Sequence, residues 1–467
     1  MQLADRFSPS SLIALLVAGA FFMENLDATV INTALPAMAA TFGVQPVDLN
    51  IGITAYLLTL TLLIPASGWL ADRLGCRRVF MVSIVVFMLA SLLCAMSQNL
   101  WQFALARVLQ GIGGAMMVPV GRLAVLRNTP KQNLMQAIAM ITWPGLVAPV
   151  LGPPLGGFIT TYASWHWIFL LNLPLGIVAL GLAWWLIPPQ DDLAAANRFD
   201  WPGFLLCGTA CLLLMSGLEQ VGGQGGWSLA LPCLVAAALL LAALWRHCQR
   251  SHAPLLDLSI LRIRTYRTTI AGGSLLRAAI NTTPFLLPLM FQLGMGMDAF
   301  RSGLLLLTLF AGNLGMKVIT SGTLRRFGFR STLLLSGLAL VLLTLLIATF
   351  GPDTPWPWLV LVLLLSGMAR SMTFTTLSTL AFVDVPPAQM SHANTLFNML
   401  LRMAYGFGIA IAAVGLRMAA SWLPQASVLT HYHFAFVLLA GLTLLALWDV
   451  WQLPPTAGQL LSQQPRH

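Results

Sequence analysis

Two carboxylates, Glu24 and Asp27, stand three residues apart inside one long apolar run, and an arginine, Arg107, stands inside another. Residues three apart share a helix face, so the two acids are neighbours on one surface. A charged side chain at membrane depth is costly and needs a partner or a watery path. The acidic pair is the partner that the sequence offers Arg107. Burial raises a carboxyl group's affinity for a proton and a neighbouring guanidinium lowers it. An acid that moves between those two surroundings can therefore take up a proton on one side and release it on the other. Asp27 is the first candidate for that role and Glu24 the second, with Arg107 as the tuning cation. The competing reading is a static Asp27–Arg107 pair that only holds two helices together.

The elements that position these groups follow from composition. Of 467 residues, 58% are hydrophobic and 8% are charged, with a mean hydropathy of +0.84. A soluble domain carries about 25% charged residues, so ordinary soluble enzymes, DNA-binding modules and disordered scaffolds are excluded. A bilayer is crossed by about 20 apolar residues. Apolar runs set against breaks predict fourteen spans, from about 12–35 to about 433–452, with 203–219 and 229–247 as a linking pair. The expected fold class is all-α integral membrane.

The net charge of +10 would suggest a nucleic-acid partner in a soluble chain. Here seventeen of the 24 Lys and Arg fall in loops on one side of the predicted spans, and only Arg301 and Arg417 fall on the other. The positive-inside rule then places both termini in the cytoplasm and removes the nucleic acid. The first apolar run is too long for a signal-peptide core and is expected to remain as the first span. The six cysteines contain no C-x-x-C, which predicts neither a disulfide framework nor a zinc site. His431 and His433 read as a surface pair, and Met116-Met117 with Met295 and Met297 as cavity or packing lining. No G-x-x-x-x-G-K-[ST] loop is present, so ATP is not the expected energy source.

Three motifs stand at the joints of these spans. Gly68-Trp-Leu-Ala-Asp72-Arg73-Leu-Gly75-Cys-Arg77-Arg78 joins the second span to the third. Small Gly68 would permit close helix approach. Asp72 can accept hydrogen bonds from a helix start, and the arginines can pair with carboxylates or lipid phosphates, so the loop can latch one conformation. Arg107-Val-Leu-Gln110-Gly111-Ile-Gly113-Gly114-Ala115 lies on the fourth span. On the fifth, Gly145, Pro149, Gly152, Pro153, Gly156 and Gly157 form a bulk-free groove on a helix that prolines bend. Trp165-His-Trp-Ile-Phe169 opens the sixth span as aromatic interface anchors, followed by Asn172. There is also a long-range echo: Gly328 and Arg330, with Arg326 before them, repeat Gly75, Arg77 and Arg73 at a distance of 253 residues. The second copy departs from the first, with Arg325 at the place of Asp72 and Ser321 at that of Gly68.

With these motifs the chain resembles the major facilitator superfamily. The loop is similar to the signature G-x-L-a-D-R-x-G-r-R, the fourth span to R-x-x-Q-G-x-G-a, and the fifth to the antiporter motif. The run Leu26-Asp27-Ala-Thr29-Val-Ile-Asn32-Thr33-Ala-Leu35-Pro36 looks like the start of the fourteen-span drug/proton antiporters, and the resemblance covers nearly the whole chain. It implies a six-helix bundle at 1–187, a linker with two extra membrane helices at 188–267, and a second six-helix bundle at 268–467. It implies alternating access with no cofactor beyond the proton gradient. The latch would be Gly68, Asp72, Arg73, Gly75, Arg77 and Arg78. The substrate cavity would include Asn32, Gln110, Arg277, Arg370 and Arg402. The expected function is proton-coupled export of small organic compounds across a bacterial inner membrane, by a monomer whose partners are small-molecule substrate, protons and membrane lipids. The alternative is export of citrate or a metal-citrate complex, because Arg277, Arg370 and Arg402 would give the cavity a positive wall. A membrane-embedded enzyme would need a nucleophile or metal cluster in the spans, and the sequence offers neither.

Overall fold

The structure, a computed structural model, describes residues 9–129, 134–189, 199–221, 226–251, 258–386 and 389–453. Among them the regular elements are all helical. The chain divides into two compact units, Met1–Phe199 and Asp200–His467.

The first unit comprises α1 (Pro9–Phe42), α2 (Asn50–Leu74), α3 (Cys76–Met96), α4 (Leu100–Asn128), α5 (Leu134–Tyr162), the short α6 (His166–Leu170) and α7 (Asn172–Leu186). Helix α1 packs on α4, α5 and α7, while α4 also contacts α2 and α3. The α1–α5 seam is built from missing side chains. A Cβ at Gly145 would collide with the Phe21 ring, one at Gly152 with the Thr29 hydroxyl, and one at Gly156 with the Val30 carbonyl. Thr33 on the same face donates to the Pro153 carbonyl at 3.5 Å. The small-residue face of α5 is thus the docking face for the helix that carries Asp27, and α1 fills the groove. Gly157 and Pro153 are buried beside it, and Pro149 is half-buried.

Trp165 and Phe169, read from the sequence as interface anchors, are buried within the unit and turn almost no surface outward. The Trp165 indole donates to Thr41 Oγ1 at 3.0 Å and packs edge-on to Phe42, and Phe169 meets Phe103. Only Trp167 of the cluster is turned outward. An indole with a partner inside the protein gains more from packing than from a headgroup position.

The second unit comprises α8 (Trp201–Val221), α9 (Gly226–Arg250), α10 (Arg264–Leu289), α11 (Ala299–Ile347), α12 (Trp356–Val383), α13 (Met390–Trp422) and α14 (Val428–Trp451). Helix α10 packs on α12, α13 and α14, and α11 on α12 and α14. The α8–α9 hairpin belongs to this unit, with α8 against α13. Helix starts are capped as the sequence dictates. Asn99 accepts from Gln102 N at 3.0 Å, Asp298 from Arg301 N at 2.7 Å and Ser427 from Thr430 N at 3.2 Å.

Twelve helical stretches among the described residues are long and apolar enough to cross a membrane. Helices α5 and α10, of 29 and 26 residues, are not among them. The 49-residue α11 contributes two of the twelve, Ala299–Lys317 and Arg326–Ile347, and Gly328 kinks it with φ 73° and ψ 170°. Gly75, at the joint of α2 and α3, has φ 86° and ψ 139°. The two glycines of the sequence echo therefore make the same kind of corner, in backbone territory that side chains with a Cβ avoid. The echo extends to the arginine two residues on. Arg77 donates to the Trp184 carbonyl at 2.6 Å, and Arg330 to the Trp451 carbonyl at 2.9 Å. In each unit an arginine thus satisfies an orphan carbonyl in the last turn of a closing helix.

Gly75→Ala and Gly328→Ala should each destabilise their unit by about 1–3 kcal/mol through the disallowed φ. The expected readout is a lower melting temperature in detergent, whereas Gly68→Ala, at a corner-free position, should leave it unchanged.

Candidate functional site

Asp27 sits midway along α1 at the centre of a polar network that the surrounding apolar side chains seal. Its carboxylate is the acceptor of three side chains from two other helices. Arg107 Nη1 donates to Oδ2 at 2.7 Å, Gln110 Nε2 to Oδ1 at 2.9 Å and Asn172 Nδ2 to Oδ1 at 2.8 Å. The donors are linked among themselves. Arg107 Nη1 also donates to Gln110 Oε1 at 2.5 Å, and both amides reach Ser91 Oγ, Gln110 at 2.9 Å and Asn172 at 3.1 Å. The Ser91 hydroxyl donates to the Phe87 carbonyl at 2.9 Å. The guanidinium lies 4.2 Å from the centre of the Tyr56 ring, a cation–π contact from α2, and Cys94 Sγ reaches Gln110 Oε1 at 3.8 Å. Arg107 and Gln110 have no exposed surface, and Asp27 has 2%.

Glycines on α4 let five helices meet at this point. A Cβ at Gly111 would stand 2.9 Å from the Tyr56 carbonyl, and one at Gly113 would stand 2.7 Å from Phe87 N. Helix α4 can therefore run against the backbones of α2 and α3 at once, which encloses Arg107 and Gln110 one turn earlier. Glu24 is buried one turn before Asp27 on α1. Asn32 is also buried, and its amide nitrogen has no hydrogen-bond partner among the described residues.

The loop motif resolves into separate contacts. Asp72 pairs with Arg127, at the end of α4, at 2.5 Å, and Arg127 also reaches Cys76 Sγ at 3.4 Å. Arg77 lies over the Trp184 ring at 4.6 Å and Arg73 over Trp69 at 5.3 Å, while Arg78 is exposed. Gly68 corrects the sequence reading: it is exposed, and a Cβ there meets nothing within 4 Å, so no close helix approach explains it. In the second copy of the loop, the side chains of Ser321 and Arg325 lie outside the described residues.

Of the expected cavity cations, two are placed in the second unit. Arg277 on α10 is 1% exposed, donates to the Thr269 carbonyl at 2.7 Å and lies 4.7 Å from the Phe397 ring centre. Its Nε and Nη2, and the Nε and Nη1 of buried Arg370 on α12, lack hydrogen-bond partners among the described residues. The side chain of Arg402 lies outside the described residues. His431 and His433 each bond a backbone carbonyl, Leu423 at 2.9 Å and Phe350 at 2.7 Å.

Three members of the Asp27 network, Ser91, Asn172 and Tyr56, are not marked by charge. Asn172 had one visible signal, an amide inside an apolar run. Arg127 had none, since it stands among other loop arginines.

Removing one partner of a buried ion pair strands the other, at a cost of about 3–5 kcal/mol. Arg107→Gln should therefore lower the melting temperature sharply. Adding Asp27→Asn should restore much of the loss, because amides can then pair with amides. A double variant no more stable than Arg107→Gln alone would show that the pair contributes little.

Residues 17–409 match the family model described as Major Facilitator Superfamily. The chain is 39% identical over 435 residues to "Putative multidrug resistance protein MdtD" of Pectobacterium carotovorum subsp. carotovorum, covering 92% of this chain and 93% of that one. It is 40% identical over 439 residues to the protein of the same name from Salmonella paratyphi A, covering 92% of each. Among solved structures it resembles a D-xylose-proton symporter, with a TM-score of 0.67 at 16% identity over 96% of this chain and 98% of that one. It also resembles the nucleoside transporter NupG, with a TM-score of 0.60 at 14% identity over 95% and 98%. A helical fold shared with transporters, a family model spanning most of the sequence and relatives about 40% identical along nearly their whole length make this chain a member of the major facilitator superfamily, a multi-pass membrane transporter and not an enzyme.

Proposed function

We propose that the protein is a proton-coupled antiporter that exports small organic compounds across a bacterial inner membrane by alternating access. The observation that carries this reading is the sealed network around Asp27. A single carboxylate is held by Arg107, Gln110 and Asn172 in an otherwise apolar interior. A proton arriving at Asp27 competes with Arg107 for the same lone pairs. Protonation removes the charge that holds α4 to α1, so proton uptake and helix movement become one event. Glu24, one turn away on α1, is the second acid on the proton's route. The energy source is the proton gradient, with no bound cofactor.

The name of the relatives, a multidrug resistance protein, supports organic compounds as cargo over citrate. We place the chain in the fourteen-span antiporter branch, counting α5 and α10 as spans beside the twelve more apolar stretches. The excess of loop arginines on one side puts both termini in the cytoplasm, and the Asp72–Arg127 contact serves as the latch of one state. The working unit is a monomer.

The test is transport in proteoliposomes under an imposed pH gradient, with ethidium and a panel of other organic cations as cargo. Flux should follow the gradient in the wild type and lose that dependence in Asp27→Asn. Flux indifferent to the gradient for every compound moved would overturn the reading.

A further inference from the structure

Helices α8 and α13 meet along a line of sulfur. Cys207, Cys211 and Met215 recur every four residues on α8, and Met399, Met403 and Gly406 face them on α13. Cys207 Sγ lies 3.9 Å from Met399 Sδ, and Cys211 Sγ lies 3.5 Å from Met403 Sδ. The two thiols stand four residues, one helical turn, apart on one face of α8. Met215 continues the line, with its methyl 3.2 Å and its sulfur 3.6 Å from where a Cβ of Gly406 would stand. All four facing side chains are buried, from 1% exposure at Cys211 to 7% at Met403.

This is a donor set of two thiols and two thioethers, and its chemistry selects the ligand. Among the described residues, no three His, Cys, Asp or Glu side chains group together, so zinc and harder ions lack the nitrogen, oxygen and thiolate ligands they need. Thiolate with thioether is the soft combination that selects Cu(I) and ions like it. The spacing also fits. Metal–sulfur bonds of about 2.3 Å in a tetrahedron set neighbouring sulfurs about 3.8 Å apart, and the two measured separations fall on either side of that value. Charge closes the argument. One Cys gives up its proton to the buffer and binds as the thiolate, both thioethers bind as neutral ligands, and the other Cys stays a thiol beside them. A monovalent ion then leaves the apolar seam with no net charge, which avoids the penalty of burying one.

We propose that the α8–α13 seam binds one soft monovalent cation, Cu(I) or Ag(I), through the thiolate of one of Cys207 and Cys211 together with Met399 and Met403, and so clips the α8–α9 hairpin to its bundle. A bulk-filling role for the methionines is the competing account, and substitution by leucine separates the two. Leucine keeps the volume but removes the sulfur.

The experiment uses the full-length protein in detergent, titrated with Ag(I) in chloride-free buffer with free methionine as competitor. Bound silver is counted after gel filtration, and its ligands are read by X-ray absorption. The wild type should hold one silver per chain on a shell of three or four sulfurs and melt at a higher temperature when loaded. Met399→Leu with Met403→Leu should fold as the wild type does yet bind silver at least tenfold more weakly. Cys207→Ala with Cys211→Ala should lose that equivalent altogether. If the double cysteine variant does not fold, Met403→Leu alone should still show the weakened binding. Silver retained equally by the wild type and the methionine variant, silver found only on the other four cysteines, or no bound silver would each overturn the proposal.

Discussion

The structure of the first unit is organised around the problem of keeping Arg107 and Asp27 inside a protein that is itself inside lipid. Two opposite charges attract strongly in such surroundings, but each has also lost its water, and attraction alone does not compensate for that unless the remaining polar atoms find partners. The network supplies them on the acid's side, where two amides join Arg107 on the carboxylate and the Ser91 hydroxyl anchors the amides behind it. It is less complete on the base's side. Arg107 Nε has no hydrogen-bond partner among the described residues, and the face of the guanidinium rests on Tyr56 instead. An incompletely satisfied cation beside a fully satisfied anion is an arrangement with one strong position and one loose one.

The rest of the unit can be read as what that network requires. Five helices must bring short polar side chains to one point, so their backbones must approach closely, and large residues cannot stand between them. Gly111 and Gly113 admit α4, while Gly145, Gly152 and Gly156 admit α1 onto α5. The same device recurs in the second unit, where a Cβ at Gly408 on α13 would collide with the Ala278 carbonyl on α10. The helix-end arginines Arg77 and Arg330 show that the repeat preserves construction. It does not preserve the charges. Asp72 has a carboxylate's partner in Arg127, whereas the corresponding position of the second unit is Arg325.

The sequence exposed those parts of this site whose residue types are expensive in a membrane. Asp27 and Arg107 are legible because a charge in an apolar run demands an explanation, and the two corners are legible because Gly75 and Gly328 repeat with their flanking arginines. Ser91 and Tyr56 were not, because uncharged polar residues are common in membrane helices and only their convergence makes them a site, and Asn172 showed only as an amide inside an apolar run. Trp165 was misread for a related reason: position in sequence places an indole near an interface, but only packing decides which way it turns. The α8–α13 sulfur line was invisible for the plainest reason, since its two halves are separated by 192 residues.

The two units surround Arg107 and Arg277 in opposite ways. In the first, Arg107 faces a carboxylate, and its charge is balanced within the unit. In the second, Arg277 is held by a backbone carbonyl and an aromatic ring, neither of which carries a formal charge. A carbonyl cannot take a proton near neutral pH, and a ring cannot release one. Protonating Asp27 would remove an ion pair between α1 and α4, whereas the contacts of Arg277, a carbonyl and a ring, would not change with pH near neutrality, so Arg277 contributes a fixed positive potential.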